Sequence, residues 1–281
     1  MIRSRGNTVE TASRWLGTLA LFSLALLYLL PMFVSVMAAF RTDADLLSNG
    51  FLSLPHPWYF GGFASVWHEG SISLYMRNSV IVSLLGVLLT VCGACLAGYA
   101  LARFKFRGQG LLLLVFLAGL FFPPQIYIIP IYRLAVSLHI YNTYLGLILV
   151  HIAYQLPFSI LLLRSFFKTI PTSLLDAARI DGAGELRILA RIVVPLAIPA
   201  LGATTILLFT WIWNDFFWAL SMTHTVKAQT IMVGVSQYYG RLAVNWNQEA
   251  ASSLLAMLPP LVMFLLFQRL FIRGVRMGGI K

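Results

Sequence analysis

Residues 176–199 hold a cluster of acids, bases, glycines and prolines in an otherwise apolar chain. Ser173 and Asp176 have the spacing of a capping box, in which the hydroxyl caps a helix and the acid bonds back to the capping amide. Gly182 supplies the left-handed conformation that commonly ends a helix. The chemistry of these residues is therefore hydrogen bonding at helix ends. It predicts a helix, a sharp turn at Gly182 and a second helix over about 184–193.

The two predicted helices have an apolar side and a basic side. The apolar side holds Leu174, Leu175, Ala178 and Ile180, and the basic side holds Arg179, Arg187 and Arg191. One interpretation is an interfacial segment that only lies on the membrane. The small residues at 177, 178 and 182–184 are poor lipid anchors, however. They favour a segment that docks closely in a groove of another protein.

Side chains that could catalyse a reaction are sparse. No G-x-x-x-x-G-K-[ST], H-E-x-x-H or G-x-S-x-G motif occurs, so nucleotide-binding, metalloprotease and serine-hydrolase readings have no support. Cys92 and Cys95 form a C-x-x-C pair inside an apolar run, with no histidine or second cysteine pair nearby. We interpret them as small residues of a membrane helix rather than a redox or zinc site. We expect no catalytic residue and no metal ligand in this chain.

The composition places the chain in the membrane class. Of its 281 residues, 59% are hydrophobic and 10% are charged, whereas soluble domains are about 25% charged. Apolar stretches long enough to cross a bilayer recur along the sequence. They predict an all-α, polytopic protein with one transmembrane domain over residues 1–281. Its six spans are expected at 15–40, 79–102, 110–131, 142–163, 195–221 and 250–271.

The basic residues predict the orientation of these spans. The net charge is +11, but the basic residues are spread along the chain beside apolar segments, which argues against a nucleic-acid partner. Fifteen Lys and Arg residues fall on the side that holds both termini and the 164–194 loop, and five fall on the other side. This bias predicts that both termini and that loop are cytoplasmic.

Two features inside the spans predict how the helices pack. Small residues four apart in 93–98 allow helix backbones to approach closely. Pro123, Pro124 and Pro157 lie inside or near spans and are expected to kink or break helices. Bent helices suit a transporter, although prolines are also simply common in membrane helices.

The 176–199 segment resembles the EAA signature of binding-protein-dependent ABC importer permeases, which reads E-A-A, three residues, G, nine residues and I-x-L-P. The matching positions are Asp176, Ala177, Ala178, Gly182, Ile192, Val194 and Pro195. Asp replaces Glu at the first position and Val replaces Leu near the end. The shorter acid puts in doubt any long-reach contact that the family's Glu makes.

Further segments resemble the carbohydrate branch of that family, the MalG-like permeases of maltose transporters. They are Arg77-Asn78-Ser79, Phe122-Pro123-Pro124-Gln125, Ile170-Pro171, Ile180-Asp181-Gly182-Ala183, Trp213-Asn214-Asp215-Phe216, Arg273-Gly274 and Met277-Gly278-Gly279-Ile280-Lys281. The resemblance covers nearly the whole chain from the first span. It implies the type I ABC importer permease fold in a bacterial inner membrane.

The resemblance also implies a mechanism and partners. The EAA loop, here 171–194, is the coupling helix that docks on a cytoplasmic ABC ATPase dimer, which binds the ATP and Mg²⁺. A second, MalF-like permease and an extracytoplasmic solute-binding protein complete the importer, and the solute is a sugar or related polyol. The residues implied for the ATPase contact are Asp176, Ala177, Ala178, Asp181 and Gly182.

A second set of residues is a candidate substrate pathway or gate. It comprises Trp213, Asn214, Asp215, His151 and Gln155. An ionisable residue inside a span is a functional-site hypothesis, and carboxylates, amides and aromatic faces suit sugar recognition. At about 1.5 Å per residue from Pro195, Asp215 lies roughly 30 Å along a straight helix, near the outer interface. A structural or gating role there, and a helix–helix hydrogen bond from His151, are the alternatives to solute contact.

Other functions remain open from the residues alone. An ion-coupled secondary transporter of a small polar solute would normally show intramembrane carboxylates or inverted repeats, and only Asp215 fits. A membrane scaffold would explain the spans but not the EAA spacing. A membrane enzyme lacks a catalytic constellation.

Overall fold

The computed structural model describes residues 5–238 and 245–278, and within these ranges it contains helices and no strand. The α-helices are α1 (Arg5–Ala39), α2 (Asp43–Asn49), α3 (Gly61–His68), α4 (Ile72–Arg103), α5 (Gln109–Phe121), α6 (Ile128–Ser137), α7 (Tyr144–Thr169), α8 (Thr172–Ile180), α9 (Glu185–Ile188), α10 (Val194–Leu196), α11 (Ile198–Trp213), α12 (Phe217–Met222), α13 (Ile231–Ser236) and α14 (Trp246–Gly278). The all-α prediction is confirmed. Arg3 and Arg241, which are among the basic residues counted above, and the closing Gly279-Ile280-Lys281 lie outside the described residues.

The described residues form two compact units, which comprise 5–70 with 238 and 245–255, and 71–237 with 256–278. In the first unit the guanidinium of Arg41 is fully buried. It bonds to the Asp45 carboxylate and donates to the carbonyls of Gly50 at 2.7 Å and Ser53 at 3.1 Å. Because each of these contacts lies within 41–53, Arg41 closes this segment on itself.

The second unit is built on the pair α4 and α7. Gly98 of α4 faces the backbone of α7 so closely that an added Cβ would lie 3.3 Å from the Ile160 carbonyl oxygen and the Arg164 amide nitrogen. Ala94, one turn earlier, is fully buried. The small residues of 93–98 therefore serve close helix packing, as their spacing predicted.

Prolines interrupt the predicted span 110–131. The helix α5 ends at Phe121, a 3₁₀ turn covers Pro124–Ile126, and α6 begins at Ile128. The proline rings lack an amide proton and exclude the preceding residue from helical geometry, which explains the break. This region therefore contains two shorter apolar helices in place of one long helix.

The predicted span 195–221 is also broken. The segment Glu185–Leu196 and the helix α11 meet at an angle of 80°. Pro199, in the first turn of α11, cannot donate to a preceding carbonyl, so the helix does not run through Ala197. The helix α11 ends at Trp213, and α12 begins only at Phe217.

Within the described residues, four helices are long and apolar enough to cross a membrane. They are Arg14–Ala39, Ile72–Arg103, Tyr144–Thr169 and Trp246–Gln268, and the bent pair Glu185–Leu196 with α11 makes a fifth if counted as one span. These helices correspond to five of the predicted spans. The predicted count of six is not confirmed, because the region of 110–131 holds only the shorter helices α5 and α6.

Candidate functional site

The turn between α8 and α9 has the geometry that Gly182 predicted. Gly182 has a φ of 78°, which favours glycine because a Cβ is strained there. Its amide donates to the Arg179 carbonyl at 3.0 Å, and the Ala183 amide donates to the Ala178 carbonyl at 2.9 Å. These two bonds form a Schellman motif, which satisfies the last carbonyls of α8 and fixes the direction in which the chain leaves it.

The start of α8 differs from the predicted capping box. The helix begins at Thr172, its cap residue is Pro171, and no side chain caps it. Ser173 therefore lies inside the first turn rather than before it. Asp176 instead accepts a 2.6 Å hydrogen bond from Arg179 one turn later. The carboxylate of Asp176, which the capping box would have bonded to the capping amide, is thus paired with Arg179.

Arg179 connects the two sides of the turn. Its Nε donates to Glu185 Oε1 at 2.8 Å, in addition to its bond to Asp176. The hydrogen bonds to Glu185 and Asp176 raise the pKa of Arg179 above its already high ordinary value. Glu185 Oε2 also accepts a 2.6 Å bond from the Tyr99 hydroxyl of α4. A chain of four side chains thus joins α8, α9 and the end of α4.

The segment formed by α8, α9 and the turn between them is held by a few buried side chains, and its other side chains are exposed. Leu175 and Ile188 are fully buried in the cluster that contains Phe167 of α7. By contrast, Ile180 is 87% exposed and Leu186 is 72% exposed. The predicted single apolar side is therefore divided, because Leu175 packs inward while Ile180 does not.

The residues implied for the ATPase contact lie on the side of this segment that is not packed against the core. Asp176, Ala177, Asp181 and Gly182 are exposed, and Ala178 is partly buried beneath them. We call the exposed part of 176–186 the coupling surface. It presents a tight turn with small side chains and two exposed apolar side chains, Ile180 and Leu186, which suits docking on another protein.

The second candidate site is a cavity of about 390 Å³ in the second unit, which we call the aromatic cavity. Its lining combines aromatic rings with a few polar groups. The lining residues are Leu120, Pro124, Gln125, His151, Tyr154, Gln155, Phe158, Trp211, Asp215, Phe217 and Trp218. The structure thus brings together three of the five predicted pathway residues, namely His151, Gln155 and Asp215.

Asp215 and His151 lie next to each other in the lining of this cavity. His151 Nε2 lies 3.8 Å from Asp215 Oδ2, which is beyond hydrogen-bonding distance. The carboxylate of Asp215 accepts from the amides of Trp218 at 3.3 Å and Ala219 at 3.0 Å, at the start of α12. The 80° bend lies between Leu196 and Ile198, near the start of the straight-helix estimate, and Asp215 follows the end of α11 at Trp213, so its place near the outer interface stays a prediction.

The other two predicted pathway residues do not line the cavity. Trp213 is fully buried, stacks on Phe209 and donates from Nε1 to the Ala256 carbonyl at 2.9 Å. Asn214 donates to the Thr210 carbonyl of its own helix at 2.9 Å. The structure therefore gives both residues packing or helix-end contacts.

Sequence reasoning did not select several cavity residues. Tyr154 and Phe158 lie on the same face of α7 as His151, at the three- and four-residue spacing that could have identified them. Trp211 lies one turn before Asp215, and its ring packs against Phe158 at 4.9 Å. Gln125 follows the two prolines that break the helix, and only the fold shows that it reaches the cavity.

The described residues hold no group of three or more His, Cys, Asp or Glu side chains that could bind a metal ion. Cys92 is exposed, Cys95 is buried, and both are free thiols.

Comparisons with known proteins agree on one family. Residues 91–277 match the family model described as the binding-protein-dependent transport system inner membrane component. The probable ABC transporter permease protein YurM of Bacillus subtilis is 37% identical over 94% of this chain and 86% of its own length. The diacetylchitobiose uptake system permease protein NgcG of Streptomyces coelicolor is 32% identical over 92% of this chain and 85% of its own length.

A solved structure shows the same fold. It is the crystal structure of a bacterial ABC transporter involved in the import of the acidic polysaccharide alginate. The TM-score is 0.83 at 23% identity, over 96% of this chain and 99% of the other.

Proposed function

The chain belongs to the family of binding-protein-dependent transport system inner membrane components, and we propose that it is the permease subunit of an ATP-driven importer for a sugar or related polyol. The family membership makes it a membrane permease and a non-catalytic component. The sugar assignment is supported by the name of NgcG, a diacetylchitobiose uptake permease. It is also supported by the aromatic and hydrogen-bonding lining of the cavity.

The observation that carries the mechanism is the construction of the coupling surface. The turn is fixed by the Schellman motif, and its base is held by Leu175 and Ile188 in the core. A force applied to the exposed tip therefore moves the segment as one piece instead of deforming it. The Tyr99–Glu185 hydrogen bond passes that motion to α4, and α4 packs on α7 beside the cavity.

The proposed partners are those that the family resemblance implies. A cytoplasmic ABC ATPase dimer binds ATP and Mg²⁺ and docks on residues 171–194, so this chain needs neither cofactor itself. A second permease, MalF-like, completes the membrane pore, and an extracytoplasmic binding protein delivers the solute. The exposed apolar face of α1, with Leu16, Phe22 and Leu27 more than half exposed, is available to lipid or to that second permease.

The proposed orientation places both termini and the coupling surface in the cytoplasm of a bacterial cell. The support is the distribution of Lys and Arg, fifteen against five, because basic residues are enriched in cytoplasmic loops. The orientation and the docking site are consistent with each other, because an ATP-driven partner must reach the segment from the side where ATP is available.

Purification tests the proposal. The tagged chain is extracted gently from its native membrane, and co-purifying proteins are identified by mass spectrometry. The proposal predicts a P-loop ATPase and a second polytopic membrane protein in stable amounts. Recovery of the stable chain without an ATPase would contradict it and would favour ion-coupled secondary transport.

A further inference from the structure

The aromatic cavity contains a hydrogen-bonding group without a partner. His151 is 2% exposed, and its Nε2 makes no hydrogen bond among the described residues. A buried polar atom left unpaired costs free energy that a bound ligand can recover. The nearest acidic group is Asp215, whose carboxylate is held in place by the two α12 amides.

The spacing of this pair fits one hydroxyl group. The 3.8 Å between His151 Nε2 and Asp215 Oδ2 leaves room for an oxygen about 2.8 Å from each atom, which is normal hydrogen-bond length. A hydroxyl can donate to the carboxylate and accept from an imidazole N–H at the same time. Gln125 and Gln155 add amides on the same lining, so further hydroxyls of one ligand can be satisfied.

The charge of the lining restricts the ligand. Asp215 contributes a carboxylate, and the described residues that line the cavity include no lysine or arginine. A phosphate or uronate would be brought beside this carboxylate without a cation to compensate either charge. Charges buried without a partner are strongly unfavourable. The lining therefore selects uncharged ligands.

The walls supply flat apolar surfaces. Trp211 packs edge-on against Phe158 with ring centroids 4.9 Å apart, and Trp218 lies 6.4 Å from the ring of Tyr154. Aromatic rings offer large rigid contact areas for the C–H faces of a ring-shaped ligand. The volume of about 390 Å³ falls within the range of small-molecule sites, about 300–1,000 Å³.

We propose that the aromatic cavity binds one neutral sugar residue of the solute, with a single hydroxyl held between His151 and Asp215 and the ring placed against the aromatic walls. Phosphorylated sugars and sugar acids are rejected by Asp215. This inference rests on the proposed function and deepens it, because it assigns the selection of uncharged solutes to residues of this chain.

Binding is measured on the assembled transporter, purified with its ATPase and second permease but without the binding protein. Saturation-transfer difference NMR is recorded with glucose, galactose, arabinose and maltose as neutral probes, and with glucuronate and glucose 6-phosphate as anionic probes. Neutral probes are expected to bind and anionic probes are not. The variant Asp215→Asn removes the charge and keeps an oxygen for one of the two α12 amides, so part of the contact at the helix start is preserved.

Asp215→Asn is expected to weaken neutral-probe binding by about tenfold, since a hydrogen bond to a charged group is about twice as strong as one to a neutral group, and to admit the anionic probes. His151→Phe should weaken neutral binding without admitting anions. Ser221→Ala serves as the matched control, because Ser221 lies on α12 outside the lining and bonds to the Phe217 carbonyl of its own helix.

Equal binding of glucose and glucuronate would overturn the inference, as would unchanged binding in Asp215→Asn or no binding of any neutral probe. ATP hydrolysis by the same preparation and its recovered ATPase report on the proposed function separately. If the complex hydrolyses ATP but its cavity binds no probe, only the proposed sugar site is contradicted. If the chain is recovered without an ATPase, the proposed importer function is contradicted.

Discussion

The hydroxyl of Tyr99, near the end of α4, donates a 2.6 Å hydrogen bond to Glu185 Oε2 at the start of α9. Glu185 is in turn bound by Arg179 at 2.8 Å across the Gly182 turn. The coupling surface is thus tied to a membrane helix by a side chain and not only by the continuity of the backbone.

Tyr99→Phe is expected to lower transport per ATP hydrolysed while leaving assembly intact. The ring remains in the core, where Tyr99 is 4% exposed, and only the bond to Glu185 is lost. The loss of stability should be small, about 1 kcal/mol. Solute movement and ATP hydrolysis are compared in proteoliposomes, with Tyr28→Phe on the exposed face of α1 as the control. An unchanged ratio would show that this bond does not transmit motion.

Gly182→Val is expected to disrupt docking of the ATPase while membrane insertion is retained. A residue with a Cβ at a φ of 78° is strained by about 1–2 kcal/mol, and β-branching adds to the strain. The recovered ATPase should therefore fall about five- to thirtyfold. The measurement is the ratio of ATPase to permease after purification at equal expression.

Two variants separate backbone strain from added bulk at this turn. Gly184 has ordinary extended geometry, with a φ of −72°, and open space around its Cα. Gly184→Val should therefore retain more ATPase than Gly182→Val. Gly182→Asn should also retain more, since asparagine tolerates the left-handed region. Equal losses in all three variants would mean that bulk, and not the turn geometry, governs docking.

Gly98→Val is expected to destabilise the α4–α7 pair by about 1–3 kcal/mol. The new side chain would press on the α7 backbone at Ile160 and Arg164, which cannot move aside as a flexible side chain could. Thermal unfolding of the purified chain measures the effect. Gly17→Val is the matched control, because a Cβ there meets nothing within 4 Å. Similar unfolding temperatures for the two variants would contradict the close approach at Gly98.

The Arg41–Asp45 pair is expected to give acid-dependent stability. The pKa of Asp45 lies below its ordinary value of 3.8. The largest cause is the hydrogen bond from Arg41, and the next is the hydrogen bond from Asn49. The folded pKa is thus below the unfolded one, so the stabilisation is present above about pH 4 and is lost as the pH falls through the folded pKa. The unfolding temperature of wild type should approach that of Asp45→Asn as the pH falls below about 4, where an ordinary carboxylate becomes protonated. A constant difference would contradict the assignment.

The sequence predicted the local features best. The left-handed conformation of Gly182 and the close packing around Gly98 follow from residue type and short spacing, and both are present. The capping role of Ser173 was wrong, because α8 begins at Thr172, two residues earlier than a cap at Ser173 requires, and Asp176 bonds to Arg179 instead. Propensity identifies a helix start only within a residue or two when a competing ion pair is available.

Features that depend on distant parts of the chain were beyond the sequence argument. Pro199 was not recognised as a residue that interrupts the predicted span. The 80° bend before α11 was therefore missed, and Asp215 was placed on a straight helix. The aromatic cavity joins residues separated by 60 positions and more, such as His151 and Trp211. Periodicity on α7 could suggest one wall, but the opposite wall is determined by how α11 folds back.

Cross-linking from the coupling surface tests whether this segment docks on an ATPase. A photoreactive cysteine adduct is placed at Ala177, which is exposed and has no long side chain to lose, and a control adduct is placed at exposed Lys105 in the loop between α4 and α5. We expect the adduct at 177 to capture a P-loop ATPase in native membranes, with a yield that changes on addition of ATP, and the control to capture far less. Equal capture from both positions, or capture of lipid alone at 177, would contradict it.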